Sequence, residues 1–440
     1  MPLCSVFISL RGCNPKPPPP AVPQPTQLTE FDRRISNLPH DVIDKILMQF
    51  TIRDAAKTSI LSKVWRYKWL NLPELIFDDT LWQESARNQE LAKMKFVGIL
   101  YQVLLRHQGP ITKMSLIIPK LRGGSEIDHL MFILWKKGVE EFTLKMMEGE
   151  EYKLPSSLFM CLQLKYLSLS SCLINPPPSF KGFNRLNRLE LDFVTIDAGV
   201  LVNLISSCPL LEQLVLHVLN EFHYLVIDAP VLKLFEWNGN ATSIYFKNSP
   251  FLAIVSIASN KEFEDGILGL IEFFDSVPAL KNLHMDYMFV RLFFPGDFQA
   301  IPATFNNLKI LKLSYISLES LEELSSVLCL MRSCPNLEEV KIEMMPYSAN
   351  DTSDIMDFLK AQDYSDVLLN RLKKVTLSKI SGLVPEMALI KLLLEKSPTL
   401  KRMVIVWGAF KFDDKLLRTM KELIRFSRAS PNAEVHFESP

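Results

Sequence analysis

A short pattern, P-x-L-x-x-φ-x-φ with φ apolar, recurs six times in this 440-residue chain and limits its fold more than any other feature. The copies are PLLEQLVL from Pro209, PVLKLFEW from Pro230, PFLAIVSI from Pro250, PALKNLHM from Pro278, PNLEEVKI from Pro335 and PTLKRMVI from Pro398. The core L-x-x-φ-x-φ recurs without the proline at Leu164, Leu186, Leu308 and Leu372, with weaker copies at Leu72, Ile111 and Val139. In chain order the starts are 72, 111, 139, 164, 186, 211, 232, 252, 280, 308, 337, 372 and 400, and most gaps span 20 to 29 residues. Alternating apolar residues read as a short strand buried on one face. A unit this small cannot bury that face alone, so the copies must stack into a solenoid with a continuous core.

Parallel strands stacked in this way need crossovers between them. Helical stretches at Ala198–Ser206, Ile267–Phe274, Leu318–Met331 and Pro385–Lys396 are expected to supply these and to cover the outer face. The fold class is therefore α/β, with a parallel sheet and outer helices. The period is that of leucine-rich repeats, and LKYLSLSSCLI from Leu164 fits their spacing in full, with Cys172 at the Asn/Cys position. Variable gaps predict an irregular arc. Phe251, Phe273 and Phe274 are expected in its core rather than in a ligand cage.

Apolar residues make up 48% and charged residues 22%, enough to bury a large core. Lys plus Arg equals Asp plus Glu, 49 against 49, so no overall charge draws the chain to nucleic acid or to an anionic membrane, and neither is an expected partner. The seven cysteines, Cys4, Cys13, Cys161, Cys172, Cys208, Cys329 and Cys334, form no C-x2-C pair and have no His at zinc-site spacing. They read as buried reduced thiols, with no metal, in a protein of the nucleus or cytoplasm. No apolar run approaches the ~20 residues of a membrane span. Residues 1–30 include NPKPPPPAVPQPTQ, which cannot sustain helix or sheet and is expected to be a disordered leader.

The block Ile35–Leu70 has a different character. Pro39 and Asp41 suit a first helical turn. Leu38, Val42, Ile43, Ile46, Leu47 and Phe50 then share one helix face. A second segment begins near Asp54 and carries Ala55, Ala56, Ser59, Ile60 and Leu61; a third carries Val64, Trp65 and Trp69, with the tryptophans at i, i+4. Three such short helices hold more apolar residues than they can bury among themselves, and the surplus implies a partner.

The strings L-P-x-D-V-I-x-K-I-L and R-D-A-x-x-T-S-x-L-S-K-x-W-R-Y-K-W closely resemble the F-box of plant F-box proteins. The resemblance implies binding to the Skp-type adaptor of cullin–RING ubiquitin ligases. Adaptor contacts would fall on Leu38, Pro39, Ile43, Ile46, Leu47, Leu61, Ser62, Trp65 and Trp69. The chain departs from the pattern at Phe50-Thr51, where Leu-Pro is usual, and at Val64, where Arg is usual. Neither departure removes an apolar anchor. From about Asp366 the stretch LLNRLKKVTLSKISGLVPEMALIKLLLEKSPTLKRMVIV resembles the FBD region that ends many plant F-box/leucine-rich-repeat proteins, as does the closing LIRFSRASPNAEVHFE. It would add a helix over residues 413–426 and a last strand over 434–437, capping the open core.

These readings divide the chain into a leader (1–30), a three-helix F-box (31–75), a repeat solenoid (76–365) and an FBD region with C-terminal cap (366–440). They imply a non-catalytic, substrate-recruiting subunit of an SCF-type ligase, with a cullin scaffold at one end and an unknown target protein at the other. Strand-exposed positions of the concave face would recruit the target: Ser168, Ser170, Glu190, Asp192, His217, Lys312, Ser314 and Tyr315. The alternatives are a small-molecule receptor, which calls for a basic cluster inside the arc that the sequence does not display, and a plain scaffold with a vestigial F-box. No cofactor is expected. The seven histidines form no H-E-x-x-H or H-x-x-E-H motif, and neither G-x-S-x-G nor a phosphate loop is present. His217-x5-His223 lacks a matching acid constellation and reads as a surface pair. Asp78-Asp79 and Asp413-Asp414 read as helix caps.

Overall fold

In a computed structural model the described residues are 38–82, 88–118, 125–147, 152–222, 224–241, 244–259, 270–293, 305–345, 355, 369–408 and 414–438. The expected leader, His223 and Asp413 lie outside them. The chain divides into two compact units, Met1–Asn71 and Leu72–Pro440.

In the first unit, helix α1 (His40–Leu47) begins at Pro39 and buries Ile43 and Leu47 completely. Helix α2 (Ile52–Lys57) is capped by Thr51, whose Oγ1 accepts the Asp54 N–H at 3.4 Å. The third expected helix does not form as such. A 3-10 helix (Thr58–Ile60) leads through turns into a second one at Lys68–Asn71. Ser59 Oγ donates to the Arg66 carbonyl at 2.9 Å, a side-chain bond that holds the chain in a turn where a helix would carry it away. Trp65 and Trp69 are buried all the same.

The second unit is built on the repeat. Strands β1 (Glu74–Phe77), β2 (Lys113–Ile118), β3 (Glu141–Met146), β4 (Tyr166–Ser170), β5 (Arg188–Ile196), β6 (Gln213–Phe222) and β7 (Leu234–Ala241) form the first half of one parallel sheet. Strands β8 (Ile254–Ala258), β9 (Asn282–Asp286), β10 (Ile310–Ile316), β11 (Glu339–Met344), β12 (Lys374–Ile380), β13 (Arg402–Trp407) and β14 (Glu434–Glu438) continue it in chain order. Each of the first thirteen begins two residues after its repeat start. The proline of the motif has a clear local role. The leucine N–H bonds back to the carbonyl three residues earlier, as Leu211 does to Cys208 and Leu280 to Val277, so the proline occupies the position of a β-turn that favours it.

In-register pairing turns the alternating pattern into continuous rows. Leu167, Leu189, Leu214, Phe235, Val255, Leu283, Leu311, Val340, Val375 and Met403 stand opposite one another across ten strands and are all buried. Successive side chains of a strand point to opposite faces, so the residues between them form parallel rows on the other, open face, polar for the most part with Val215, Ile254 and Val404 among them.

The helix over Ala198–Ser206 forms where expected, capped by Asp197. Helices also form at Leu270–Ser276, where the expected start at Ile267 lies outside the described residues, at Leu321–Ser333, three residues later than expected at its start, and at Val384–Lys396. Ser320 caps the second of these by accepting the Glu323 N–H. The C-terminal helix is Asp414–Ile424, and β14 closes the sheet with Phe437 stacked on Trp407 at 6.2 Å. Phe273 and Phe274 lie in an aromatic chain running from Phe235 through Phe246 to Phe305. Phe251 does not join them: it follows the turn proline Pro250 and is 61% exposed, so its expected place in the core is wrong. Cys161 and Cys208 are buried and donate to backbone carbonyls, and burial pushes their thiols up to about 12 and about 11. Asp78 accepts the Thr80 hydroxyl at the mouth of a 3-10 turn. Among the described residues no helix is long and apolar enough to cross a membrane.

Candidate functional site

Two surfaces stand out, one in each unit. In the first, burial sorts the residues expected to meet the adaptor. Ile43, Leu47, Trp65 and Trp69 form the module's interior. Leu38, Ile46 and Ser62 are half-buried, and Pro39 and Leu61 are exposed. Ser62 Oγ is buried without a hydrogen-bond partner among the described residues. Four further apolar side chains stand out from the same short segment: Phe50, Ile60, Val64 and Tyr67, with Ile60 76% exposed. The surface set thus narrows to Leu38, Pro39, Ile46, Leu61 and Ser62 and gains these four. Both departures noted in the sequence, Phe50 and Val64, lie on that surface, and Thr51 serves as an N-cap where proline would offer no side-chain acceptor.

In the second unit the register brings polar groups together across the open face. Ser168 faces Glu190, and Ser170 faces Asp192. Tyr166 donates to Glu190 at 2.6 Å and Arg188 pairs with the same carboxylate. Burial pushes the Glu190 carboxyl up, but these hydrogen bonds outweigh it and leave the group below its ordinary value. Next to it, His217 Nδ1 lies 3.0 Å from Asp192 Oδ1 and its Nε2 3.4 Å from Glu236 Oε1. The acid constellation that His217 lacks along the chain is supplied by the strands on either side. Glu236 first and Asp192 second raise the His217 pKa, and the imidazole in turn lowers Glu236.

Farther along, Ser256, His284 and Ser314 form a hydrogen-bonded line across β8, β9 and β10, at 2.8 and 2.9 Å. Burial, and then the charge of Lys312, push His284 down to about 4, so it is neutral at pH 7. Lys312 and Lys341 then stand directly opposite each other in β10 and β11. The basic grouping that the sequence does not display is thus assembled by register. Two of the expected surface residues are not accessible: Ser170 and Ser314 are buried and spend their hydroxyls on Asp192 and His284.

The edge of this face carries local strain. Ser171, Phe193, Tyr315 and Lys379 all adopt positive φ at the seventh position after a repeat start. The pairing register shifts beside the last three, as at a β-bulge. Phe193 and Tyr315 are exposed there, and Lys379 Nζ lies over the Tyr315 ring at 5.0 Å. Left-handed non-glycine residues are costly, and none of these positions is recognisable from sequence. A surface cavity of about 580 Å³ lies elsewhere, between Tyr245, Lys247, Asp275 and Pro278. Among the described residues no group of three or more His, Cys, Asp or Glu could hold a metal ion.

Known families match three parts of the chain. The F-box domain matches residues 35–77, the LRR repeats of FBD-associated F-box protein At5g56370 match 127–342, and FBD matches 366–405. F-box/FBD/LRR-repeat protein At1g13570 of Arabidopsis thaliana is 34% identical over 410 residues, 92% of this chain and 98% of the relative. FBD-associated F-box protein At5g22730 of the same plant is 26% identical over 461 residues, 91% and 93% of the two chains. F-box/LRR-repeat protein At4g14103, also from Arabidopsis thaliana, is 28% identical over 272 residues, 58% of this chain and 70% of the relative.

Proposed function

This chain belongs to the F-box/FBD/LRR-repeat family, and we propose on that premise that it recruits a target protein to an SCF-type cullin–RING ubiquitin ligase. The F-box module binds a Skp-type adaptor and, through it, the cullin. The open strand face holds the target. The chain acts in the nucleus or cytoplasm and brings no catalysis of its own: holding the target near a ubiquitin-loaded enzyme raises its effective concentration.

The observation that carries this reading is the set of exposed apolar side chains on the small first unit, Phe50, Ile60, Leu61, Val64 and Tyr67. So much apolar surface on so small a module marks a protein interface. Retention of a purified Skp-type adaptor by the full-length chain tests it. The wild type is expected to retain the adaptor, and Leu38→Ala/Pro39→Ala to lose it. Ile60→Glu is the companion variant: its side chain is 76% exposed, so the module's interior is untouched and lost binding reports the interface. Failure of the wild type to bind, or full retention by both variants, leaves a scaffold and removes the ligase.

A further inference from the structure

Charges on the open face gather in two places, acids with Arg188 among them and lysines with Glu339 and Glu343 beside them. Glu190, Asp192 and Glu236 lie on β5 to β7, the uncharged line Ser256–His284–Ser314 follows, and Lys312 and Lys341 lie on β10 and β11. Like charges directly opposite on paired strands destabilise a sheet, so the lysine pair is a cost that folding alone does not explain. Lys341 has partial relief from Glu339 at 3.3 Å, but that carboxylate is shared with Lys374 at 3.0 Å. Lys312 has no ion pair among the described residues and is exposed. On its other side stands His284, which the lysine's own charge helps to keep neutral at pH 7.

The surroundings of the pair suit an anion. Thr376 faces Lys341 from β12, and Ser378 faces Glu343 one pleat further on. The exposed Tyr315 stands at the bulge of β10, where its ring meets Lys379 Nζ at 5.0 Å. Glu343 is engaged by Lys379 at 2.7 Å and does not compete for the two lysines. The nearest acid of the opposite block, Glu236, is three strand spacings from Lys312, about 14 Å. That is the gap between backbones; the long side chains shorten it, and the charge of Lys312 still helps to lower the Glu236 carboxyl, so the two blocks meet across β8 and β9.

We propose that β9 to β12 of the open face dock an acidic segment of the target protein, with Lys312 and Lys341 as its main contacts. This rests on the reading of the strand face as the recruiting surface. The acids of β5 to β7 bound the footprint by repelling such a segment if it slides along the sheet. A protein segment fits better than a small anion, because the lysines stand on an open sheet and the 580 Å³ cavity lies at Tyr245 to Pro278.

Fluorescence anisotropy on the full-length chain tests this, with the fluorescein-labelled peptide GSEEDEEDSG and a counterpart in which Lys replaces every acid. Saturable binding of the acidic peptide is expected, with Lys312→Ala/Lys341→Ala weakening it about fivefold. Lys145→Ala removes an exposed lysine on β3 of the same sheet and should leave binding unchanged. Lys312→Glu alone, at an exposed position, should weaken binding at least as much as the double variant and guards against misfolding. No saturable binding, tighter binding of the basic peptide, or equal loss in Lys145→Ala would overturn the proposal. Adaptor retention is measured on the same samples. A chain that holds the adaptor but not the peptide sinks the docking site alone, and one that binds the peptide but not the adaptor sinks the ligase reading alone.

Discussion

The two units use apolar residues in opposite ways. The repeat unit buries them in rows: Leu214, Leu216, Leu311 and Leu313 are each fully buried. The first unit buries Ile43, Leu47, Trp65 and Trp69 and leaves Ile60, Leu61, Val64 and Tyr67 outside. The repeat unit also exposes scattered apolar side chains such as Leu105, Leu210 and Phe251, but its open strand face offers a partner mainly charges, while the module offers a close set of apolar side chains. A surplus of either kind, after the core is satisfied, is where a binding surface is to be sought.

The sharpest way to break this contrast is a truncation in each unit. Leu216→Ala removes a fully buried side chain from the middle of the sheet and should cost about 2–5 kcal/mol in chemical denaturation. Leu61→Ala, on the module surface, should change stability by less than about 0.5 kcal/mol. Equal losses would dissolve the distinction. A smaller effect belongs to the cap of α2: Thr51→Ala should cost about 1 kcal/mol, and Thr51→Ser far less, if the hydroxyl is the acceptor of the Asp54 N–H.

The smallest effect probes the charged face. His217 is held above its ordinary value by Glu236 and Asp192. The stability it contributes is therefore complete below the unfolded histidine value of about 6.5 and is lost as pH rises through the higher folded value. Melting curves of wild type and His217→Asn should differ most near pH 6 and converge by about pH 9, with a gap below about 1 kcal/mol. A gap that widens with pH would show that the imidazole does not bridge the two acids as a cation.

Much of the fold is legible in the sequence because strand formation here is local. A leucine, two residues and an apolar pair are enough to fix the turn, the strand start and the buried face. Even the weak starts at Leu72, Ile111 and Val139 open strands. The third helix of the module is not legible, because the Ser59 bond to Arg66 that replaces it depends on a turn already made. Phe251 is misplaced for a related reason: its repeat position matches that of other turn residues, not that of the buried rows.

What the sequence by itself determined is the repeat, the buried rows and the module with its surplus of apolar residues. These follow from a period set by backbone pleating and by the need to bury alternate side chains. What only the tertiary structure decided is which polar residues became neighbours. Asp192 meets His217, and Lys312 meets Lys341, across strands separated by loops and helices of unequal length. Open-face positions are not constrained to be alike from one repeat to the next, so no period marks them in the sequence. Register alone, set by the apolar rows beneath, turns scattered charges into a surface.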